Sequence, residues 1–353
     1  MIAPIMVNYM DILPQYMQIL LTRAQVCKTD CLMDFSLTDS HRQALVEVAR
    51  LYYEQDLTQT EIGRRLSLSR STVSRMLQRA RDAGIVTITV NYEVARDPAL
   101  EDALKSAFAL RDAKVLSSGR RSPDSIRNGL GKLGANLLEQ SLNDNGTLGL
   151  SYGRSLAKAV EQVRPRQSEG LTVVPVIGAL GSDNPLIEGI DLTRQLANRL
   201  GARYRYLHAP LLVEDRRTRD LFLQEPTVND VLQIAAKANI VLIGIGSLQA
   251  ESSGIIWTGY ITRKERDWLH NIGVVGHMCA QFFDVRGQIL DIGINHRSIS
   301  IGLEALRQID NVIAVAGTTD KASAILGALN GGYIDSLVTD DHAARQVLEL
   351  MKL

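Results

Sequence analysis

The sequence lacks a net charge, a membrane-length apolar run and a useful number of cysteines. Its 353 residues contain 39 Lys and Arg against 39 Asp and Glu, so any attraction for nucleic acid must be local. Apolar runs such as IVLIGIG, from residue 240, have the length of strands. The N-terminus lacks the pattern of a secretory signal, and three cysteines do not build a disulfide framework. These absences favour a cytoplasmic protein with no membrane partner.

Residues 1–36 differ from the rest of the chain because they are rich in methionine and show no regular periodicity. We interpret them as an N-terminal extension, helical or flexible. The alternative is that translation starts at Met33, just before the first regular helical pattern. Cys27 and Cys31 have no His or Cys partner nearby, so neither a metal nor a cofactor is predicted.

Residues 37–92 carry the pattern of a winged helix-turn-helix. An apolar stripe at three- and four-residue spacings predicts a first helix from Asp39. Thr58 and Glu61 have the spacing of a capping box at the start of a second helix. The turn Ser67–Ser69 precedes a third helix that ends near Gly84, and IVTITV at 85–90 alternates like a strand.

The outward face of the third helix predicts a DNA contact. Residues 57–84 contain six arginines and two acidic residues, a local charge of +4 that attracts phosphate. Short hydroxyls and guanidinium groups suit the edges of bases in the major groove, whereas a protein-docking module with a solvated Arg face is the alternative. At the start of the second helix, Gln59 and Thr60 suit a backbone phosphate. The predicted base-reading set is Arg70, Ser71, Thr72, Ser74 and Arg75.

The remainder of the chain predicts an α/β domain. Residues 93–110 form a linker with a helix at 98–109, a candidate dimer contact, and 111–353 form the large domain. Continuous β-branched runs alternate there with helical patterns, which indicates a mostly parallel, Rossmann-like sheet covered on both faces. Strands are predicted at 113–117, 147–151, 171–177, 203–207, 240–245, 279–283, 311–316 and 336–339, and helices at 123–141, 153–164, 185–200, 227–238, 299–308, 319–330 and 340–352.

Four predicted strands end in loops that pair small residues with hydroxyls. In parallel sheets, ligands bind at these carboxyl ends, and backbone N–H groups before a helix form an anion site. Any one loop is compatible with an ordinary turn, but four on one edge favour a phosphorylated small ligand. The loops are Ser151–Ser155 (with Gly153 and Arg154), Gly178–Ser182 (with Ala179), Gly246–Ser247, and Gly317–Lys321 (with Thr318 and Thr319).

Two nucleotide motifs are rejected. GLGKLG at 129–134 spells G-x-G-x-x-G, but it follows a helical stretch instead of a strand, so we interpret it as small residues on a packed helix. Leu133 stands where a phosphate loop needs Ser or Thr. Among the histidines, His277 is a further candidate because it precedes a strand near the ligand edge; the alternative is a loop histidine with satisfied hydrogen bonds.

Motifs from both halves resemble the SorC family of bacterial sugar-responsive transcription regulators. LYYEQDLTQTEIGRRLSLSRSTVSRMLQRARDAGIV resembles its DNA-binding segment, and AVAGTTDKASAILGALNGGYIDSLVTDDHAA its C-terminal signature. LGLSYGRSL, WTGYIT and VGHMCAQFFD follow in the family's order. The resemblance covers residues 40–350.

The resemblance implies a tetrameric regulator whose large domain is a sugar-isomerase-like fold without catalysis, with a phosphorylated sugar or polyol as effector. It implies that the 153–155 and 178–179 loops line the site and that Thr318, Thr319 and Lys321 hold phosphate. This chain departs from the family at His277, where an acidic residue is usual, and at the Gly178-Ala179 and Gly317-Thr318 pairs, where two glycines are usual. Imidazole can donate as well as accept, so we expect a different ligand group there.

We hypothesise that an oligomer, dimer to tetramer, binds operator DNA and that the effector shifts its geometry and affinity. The rival hypothesis is a sugar-phosphate isomerase, or a lyase with a Lys321 Schiff base, with an appended DNA-binding domain. Such a lysine needs a lowered pKa. The neighbouring Asp320 instead favours a charged lysine that clamps phosphate.

Overall fold

The computed structural model describes residues 39–86, 94–181, 189–248 and 260–352. It divides into two compact units, residues 1–92 and 93–353. The extension 1–36, the wing residues 87–90 and the pair Cys27 and Cys31 lie outside the described residues.

The first unit packs three helices around a small apolar core. The helices are α1 (Asp39–Tyr53), α2 (Gln59–Leu66) and α3 (Arg70–Asp82). Their three- and four-residue apolar spacings place one stripe of each helix inward. The predicted helix order is therefore confirmed. The core consists of Val48, Leu51, Ile62, Val73 and Leu77.

The second unit begins with a segment held against its sheet. Residues 94–97 lead into α4 (Pro98–Phe108), where the Asp97 carboxylate accepts a hydrogen bond from Leu100 N at 3.2 Å. Asp97 N also donates to Val115 O at 2.9 Å. The start of the linker is thus a fixed part of this unit.

A seven-stranded parallel sheet forms the centre of the second unit, in the order β1-β10-β9-β5-β2-β3-β4. Strands β5 and β9 are almost wholly buried, which explains their continuous apolar sequences. The predicted parallel α/β class is confirmed. The strands are β1 (Asp112–Leu116), β2 (Asn145–Leu150), β3 (Gly170–Pro175), β4 (Arg203–Tyr204), β5 (Ile240–Gly244), β9 (Asn311–Val315) and β10 (Ser336–Asp340).

The strand order contains a switch point between β2 and β5. The chain proceeds from β2 to β3 and β4 on one side, then returns to β5, β9 and β10 on the other. Crevices form at the carboxyl ends of strands where the order reverses. The topology therefore places the loops after β2, β5 and β9 beside one another.

Helices surround the sheet and account for the glycines of GLGKLG. In α5 (Pro123–Ser141), a Cβ on Gly131 would lie 2.7 Å from the Lys158 backbone carbon in α6 (Arg154–Gln162). The motif is thus a helix-packing surface, as predicted. The other α-helices within the described residues are α7 (Gly189–Leu200), α8 (Arg216–Gln224), α9 (Pro226–Ala236), α10 (Arg263–Asn271), α11 (Leu303–Leu306), α12 (Ala322–Asn330) and α13 (Asp341–Leu350).

Several predicted elements differ from the structure. The strand predicted at 279–283 is present as β8 (Gln281–Asp284), but it does not join the parallel sheet. It forms a separate antiparallel sheet with β6 (Gly246–Ser247) and β7 (Val274–Met278). The strand at 203–207 shortens to β4, and the helix at 299–308 shortens to α11. Helices α8 and α10 were not predicted, because their sequences are polar. Helix α8 buries no residue, and α10 buries only Leu269.

Candidate functional site

Local hydrogen bonds set the helix-turn-helix geometry. The Thr58 hydroxyl accepts from Glu61 N, and the Glu61 carboxylate accepts from Thr58 N at 2.8 Å, which completes the predicted capping box. Ser67 takes a left-handed conformation at the end of α2, and Ser69 Oγ accepts from Thr72 N at 3.1 Å at the start of α3. A Cβ on Gly63 would lie 2.7 Å from Leu68 O, so glycine permits this tight turn.

The outward face of α3 presents unpaired cations. Arg70, Arg75 and Arg79 are exposed, and within the described residues none of them forms an ion pair. Ser71 and Ser74 are exposed beside them, and Thr72 is half-buried. A helix face with free guanidinium groups and short hydroxyls can reach both phosphates and base edges.

The start of α2 lies beside the start of α3. Gln59, Thr60 and Arg70 line one shallow hollow together with Tyr52 and Tyr53. Backbone N–H groups at a helix start favour an anion. The structure thus brings the predicted phosphate-contacting residues together with one predicted base-reading residue.

A cavity of about 470 Å³ opens at the switch point of the large unit. Its walls come from the carboxyl ends of β2, β5 and β9, from β7 and the turn after it, and from the first turns of α5 and α6. The predicted site residues that line it are Gly153, Arg154, Ser155, Gly246, His277, Thr318 and Lys321.

Three cations face this cavity. Arg127, Arg154 and Lys321 all line it, and Arg127 also pairs with the exposed Asp124 at 2.5 Å. Burial lowers the pKa of Lys321 to about 8; Asp320 opposes this change, while Arg154 and Arg127 add to it. Burial, and then Arg127, lower the pKa of Arg154 as well. The cations destabilise one another, and an anion in the cavity would relieve that repulsion.

The loop after β9 has an unusual backbone conformation beside the cavity. Thr318 has a φ of 79°, which is rare for a residue with a side chain. Thr318 N donates to the Asp340 carboxylate, and Thr318 Oγ1 donates to the Asp320 carboxylate. A Cβ on Gly317 would lie 2.5 Å from Asp340 Oδ2, so this position has no space for a side chain.

His277 also lines the cavity, close enough to Lys321 to feel its charge. Its ring packs on Gly246, where a Cβ would lie 2.1 Å from His277 Nε2, and its centroid lies 5.2 Å from that of Phe282. Burial, with the charge of Lys321, lowers the pKa of His277 to about 3, so the imidazole is neutral at pH 7. A neutral imidazole has one N–H donor and one nitrogen acceptor.

Cys279 and Ala280 follow His277 in a turn with φ values of 48° and 58°. Both line the cavity, and burial raises the pKa of the Cys279 thiol to about 12. The thiol is therefore protonated and unreactive at neutral pH. Left-handed backbone here and at Thr318 concentrates strained residues on this one cavity.

Four predicted ligand residues do not line the cavity. Gly178 and Ala179 donate to backbone oxygens of Ile299 and Ala209, at 2.9 and 2.8 Å; they form a backbone junction. Ser247 is buried in β6, and Thr319 is exposed beyond the loop.

Arg127 lines the cavity but was not predicted from the sequence. It follows a helix start in sequence, and only the fold brings that helix start to the cavity. Its signal was the SPDSIR helix start, a cap followed by a cation.

None of the helices in the residues that the structure describes combines the length and the apolar composition needed to span a membrane. The same part of the chain contains no group of three His, Cys, Asp or Glu side chains arranged to hold a metal ion.

Comparison with known proteins identifies relatives that span both units. Residues 92–349 match the Sugar-bind family model, described as "Putative sugar-binding domain", and residues 36–83 match Sigma-70, region 4. The sorbitol operon regulator of Klebsiella pneumoniae is 34% identical over 307 residues, covering 86% of this chain and 97% of the relative. The deoxyribonucleoside regulator of Bacillus subtilis (strain 168) is 30% identical over 311 residues, covering 88% and 99%.

A solved structure agrees with these matches. The crystal structure of the full-length sorbitol operon regulator SorC from Klebsiella pneumoniae aligns with a TM-score of 0.67 and 33% identity. The alignment covers 88% of this chain and 100% of that chain. The matches thus extend over both units of this chain.

Proposed function

Since this chain belongs to the SorC family of sugar-binding transcriptional regulators, we propose that it controls a sugar or polyol catabolic operon in response to a phosphorylated effector. The DNA-binding unit contacts operator DNA through the outward face of α3. The effector binds in the cavity at the switch point. Its binding changes operator affinity through a coupling free energy between the two sites.

The observation that carries this proposal is the group of three cations on one cavity. Arg127, Arg154 and Lys321 surround a space that suits a small metabolite. A phosphate ester carries about −1.5 to −2 charges at neutral pH, so it matches this surplus. The neutral His277, which lines the same cavity, then contacts the sugar or polyol portion as donor or acceptor.

The test is a thermal-shift panel of the full chain. Glucitol 6-phosphate, fructose 6-phosphate and ribose 5-phosphate are compared with their unphosphorylated forms and with inorganic phosphate. At a hundredfold excess over Kd, a ligand of the folded state stabilises it by about 2.7 kcal/mol, which corresponds to roughly 5 °C or more in Tm. We expect a phosphorylated member to produce the shift and its parent sugar to produce none. Equal shifts from both forms would contradict the phosphate role.

Operator response is the second measurement. A sugar phosphate that raises Tm should change the Kd for operator DNA about 5- to 150-fold, the usual range of allosteric coupling. The matched variants are Lys321→Met and, as control, Lys237→Met at an exposed position outside the cavity. Only Lys321→Met should lose the response while it keeps operator binding.

We further propose that this chain acts as a homo-oligomer. Regulators with helix-turn-helix units read pseudo-palindromic half-sites as dimers or multiples of dimers. Sedimentation of the full chain, with and without a sugar phosphate, measures the state directly. A monomer that binds a single half-site would contradict this part.

Enzyme activity at Lys321 is the second candidate function, and one observation favours it. From the sequence, Asp320 is expected to favour a charged lysine, but burial and two arginines outweigh Asp320 and lower the pKa of Lys321 to about 8. A fraction of the amine is therefore uncharged at neutral pH and nucleophilic. Borohydride trapping with each sugar phosphate, followed by peptide mass analysis, tests for a Schiff base; an adduct at Lys321 would favour the lyase.

A further inference from the structure

Two adjacent carboxylates at the start of α13 contact two different loops. Asp340 is the N-cap of this helix and is 1% exposed. Its Oδ1 accepts from His342 N and Ala343 N, each at 3.1 Å, and its Oδ2 accepts from Thr318 N. Asp341 Oδ1 accepts from Ser118 N at 3.0 Å and from Ser118 Oγ.

The first loop belongs to the proposed effector cavity. Thr318 and Gly317 both line it. Gly317 has no space for a side chain against the Asp340 carboxylate, and Thr318 has a left-handed backbone conformation. The position of this loop therefore depends closely on the position of that carboxylate. A ligand that moves Thr318 must therefore move Asp340 or break this hydrogen bond.

The second loop leads to the linker. Ser118 is fully buried directly after β1, and its neighbour Ser117 N donates to Ala95 O at 2.8 Å. Arg96 forms an antiparallel bridge with Leu116, which is itself paired with Asp340 across the sheet. Residues 95 and 96 are thus held against the end of β1 by backbone contacts.

The same segment is fixed from the helix side. The Glu101 carboxylate, 4% exposed, accepts from Val115 N at 2.9 Å and from Arg96 Nε at 2.7 Å. Asp97 also pairs with Arg345 of α13 at 3.1 Å. Because packed protein interiors have low compressibility, these contacts would pass a displacement at the start of α13 on to residues 95–97.

We propose that Asp340 and Asp341 form a relay that transmits the occupancy of the effector cavity to the linker of the DNA-binding unit. The relay runs from Thr318 through the two carboxylates to Ser118 and Ala95. Residues 87–93 then lead from this segment back to the DNA-binding unit along the chain. Contiguous hydrogen bonds and rigid elements are the usual carriers of such coupling. The two aspartates are positioning residues, and their role rests on the proposed function.

The sharpest variant is Ser118→Ala, because Ser118 does not line the cavity. It removes one of the two hydrogen bonds to Asp341 and leaves the Thr318 loop untouched. We expect an unchanged Kd for the responsive sugar phosphate, measured by calorimetry with glucitol 6-phosphate, fructose 6-phosphate and ribose 5-phosphate. The maximal change in operator Kd at saturating sugar phosphate should fall at least threefold. A full response at saturation would overturn the relay.

The second variant is Asp340→Asn. Its carboxamide oxygen can still cap α13, while its NH₂ group faces Thr318 N and cannot accept from it. The matched control is Asp215→Asn, the N-cap of α8, which accepts from Thr218 N at 2.7 Å and lies outside the cavity lining. We expect Asp340→Asn to lose the response even at saturation, and the control to keep it. Recovery of the full response at higher ligand concentration would show that Asp340 only orders the cavity.

Hydrogen exchange of the unliganded chain tests the relay without any effector. In Asp340→Asn, the amides of Asp97, Ser117 and Thr318 should all exchange severalfold faster, with no change in the Asp215→Asn control. Faster exchange at Thr318 alone would contradict the relay. If no sugar phosphate alters operator affinity in the wild-type chain, the proposed function fails, and this measurement still decides whether the relay exists.

Discussion

The pKa of Lys321 predicts how effector affinity depends on pH. Lys321 lines the cavity with Arg127 and Arg154, and burial lowers its pKa to about 8. A bound phosphate dianion would stabilise the charged form and raise that pKa. The site must therefore take up a proton on Lys321 when it binds above pH 8, and the affinity falls as the pH rises.

The magnitude follows from the fraction of charged lysine. With a free-site pKa of about 8, roughly 90% of Lys321 is charged at pH 7 and roughly 10% at pH 9. The apparent Kd for a sugar phosphate should thus weaken about tenfold over this range. The phosphate itself contributes little, because its second pKa is near 6 and it is already a dianion above pH 7.

The assay is calorimetry or fluorescence titration from pH 7 to 9.5 at constant ionic strength, with Tm measured at each pH to verify folding. Lys321→Met should bind about 10- to 150-fold more weakly at pH 7, as expected for one lost charge-assisted hydrogen bond of about 1.5–3 kcal/mol. It should also lose the pH dependence. A wild-type Kd that stays constant across this range, or an equal slope in Lys321→Met, would refute the reasoning.

Two further predictions concern the DNA-binding face and the helix packing. Arg70→Ala and Arg75→Ala should each weaken specific operator binding by about 1–3 kcal/mol if they contact bases, measured in salt-matched gel shifts. Arg50→Ala, whose side chain pairs with Glu54 at 3.1 Å on α1, is the control, and equal losses in all three would contradict the groove assignment. Gly131→Ala should lower stability by about 1–3 kcal/mol through overpacking against α6, seen in urea unfolding; an unchanged midpoint would contradict the packing interpretation of GLGKLG.

Much of the DNA-binding unit could be predicted because its signals are local. Thr58 and Glu61 are three residues apart, and Ser69 lies directly before its helix, so each cap is visible within a few residues. The apolar stripes of three short helices then leave one face outward. Arg70 and Arg75 fall on that face by periodicity alone.

The cavity could be predicted only in part. Small-residue loops after strands pointed to Gly153, Gly246 and Lys321, which line the cavity, but the same pattern at Gly178 forms a backbone junction. A loop sequence does not say whether its strand lies at the switch point. Helices α8 and α10 could not be predicted for a related reason. Almost none of their residues enters the core, so their polar sequences do not indicate helices.

The sequence by itself determined the helix-turn-helix, the alternating α/β pattern and the loops from which a ligand site could be built, since all of these depend on contacts within a few residues. The tertiary structure alone decided which loops meet. The order of parallel strands is set by packing between distant segments, and it placed Arg127 beside Lys321 and lowered the pKa of that lysine. The same long-range packing set Asp340 and Asp341 between the cavity and the linker, a connection that no local pattern contains.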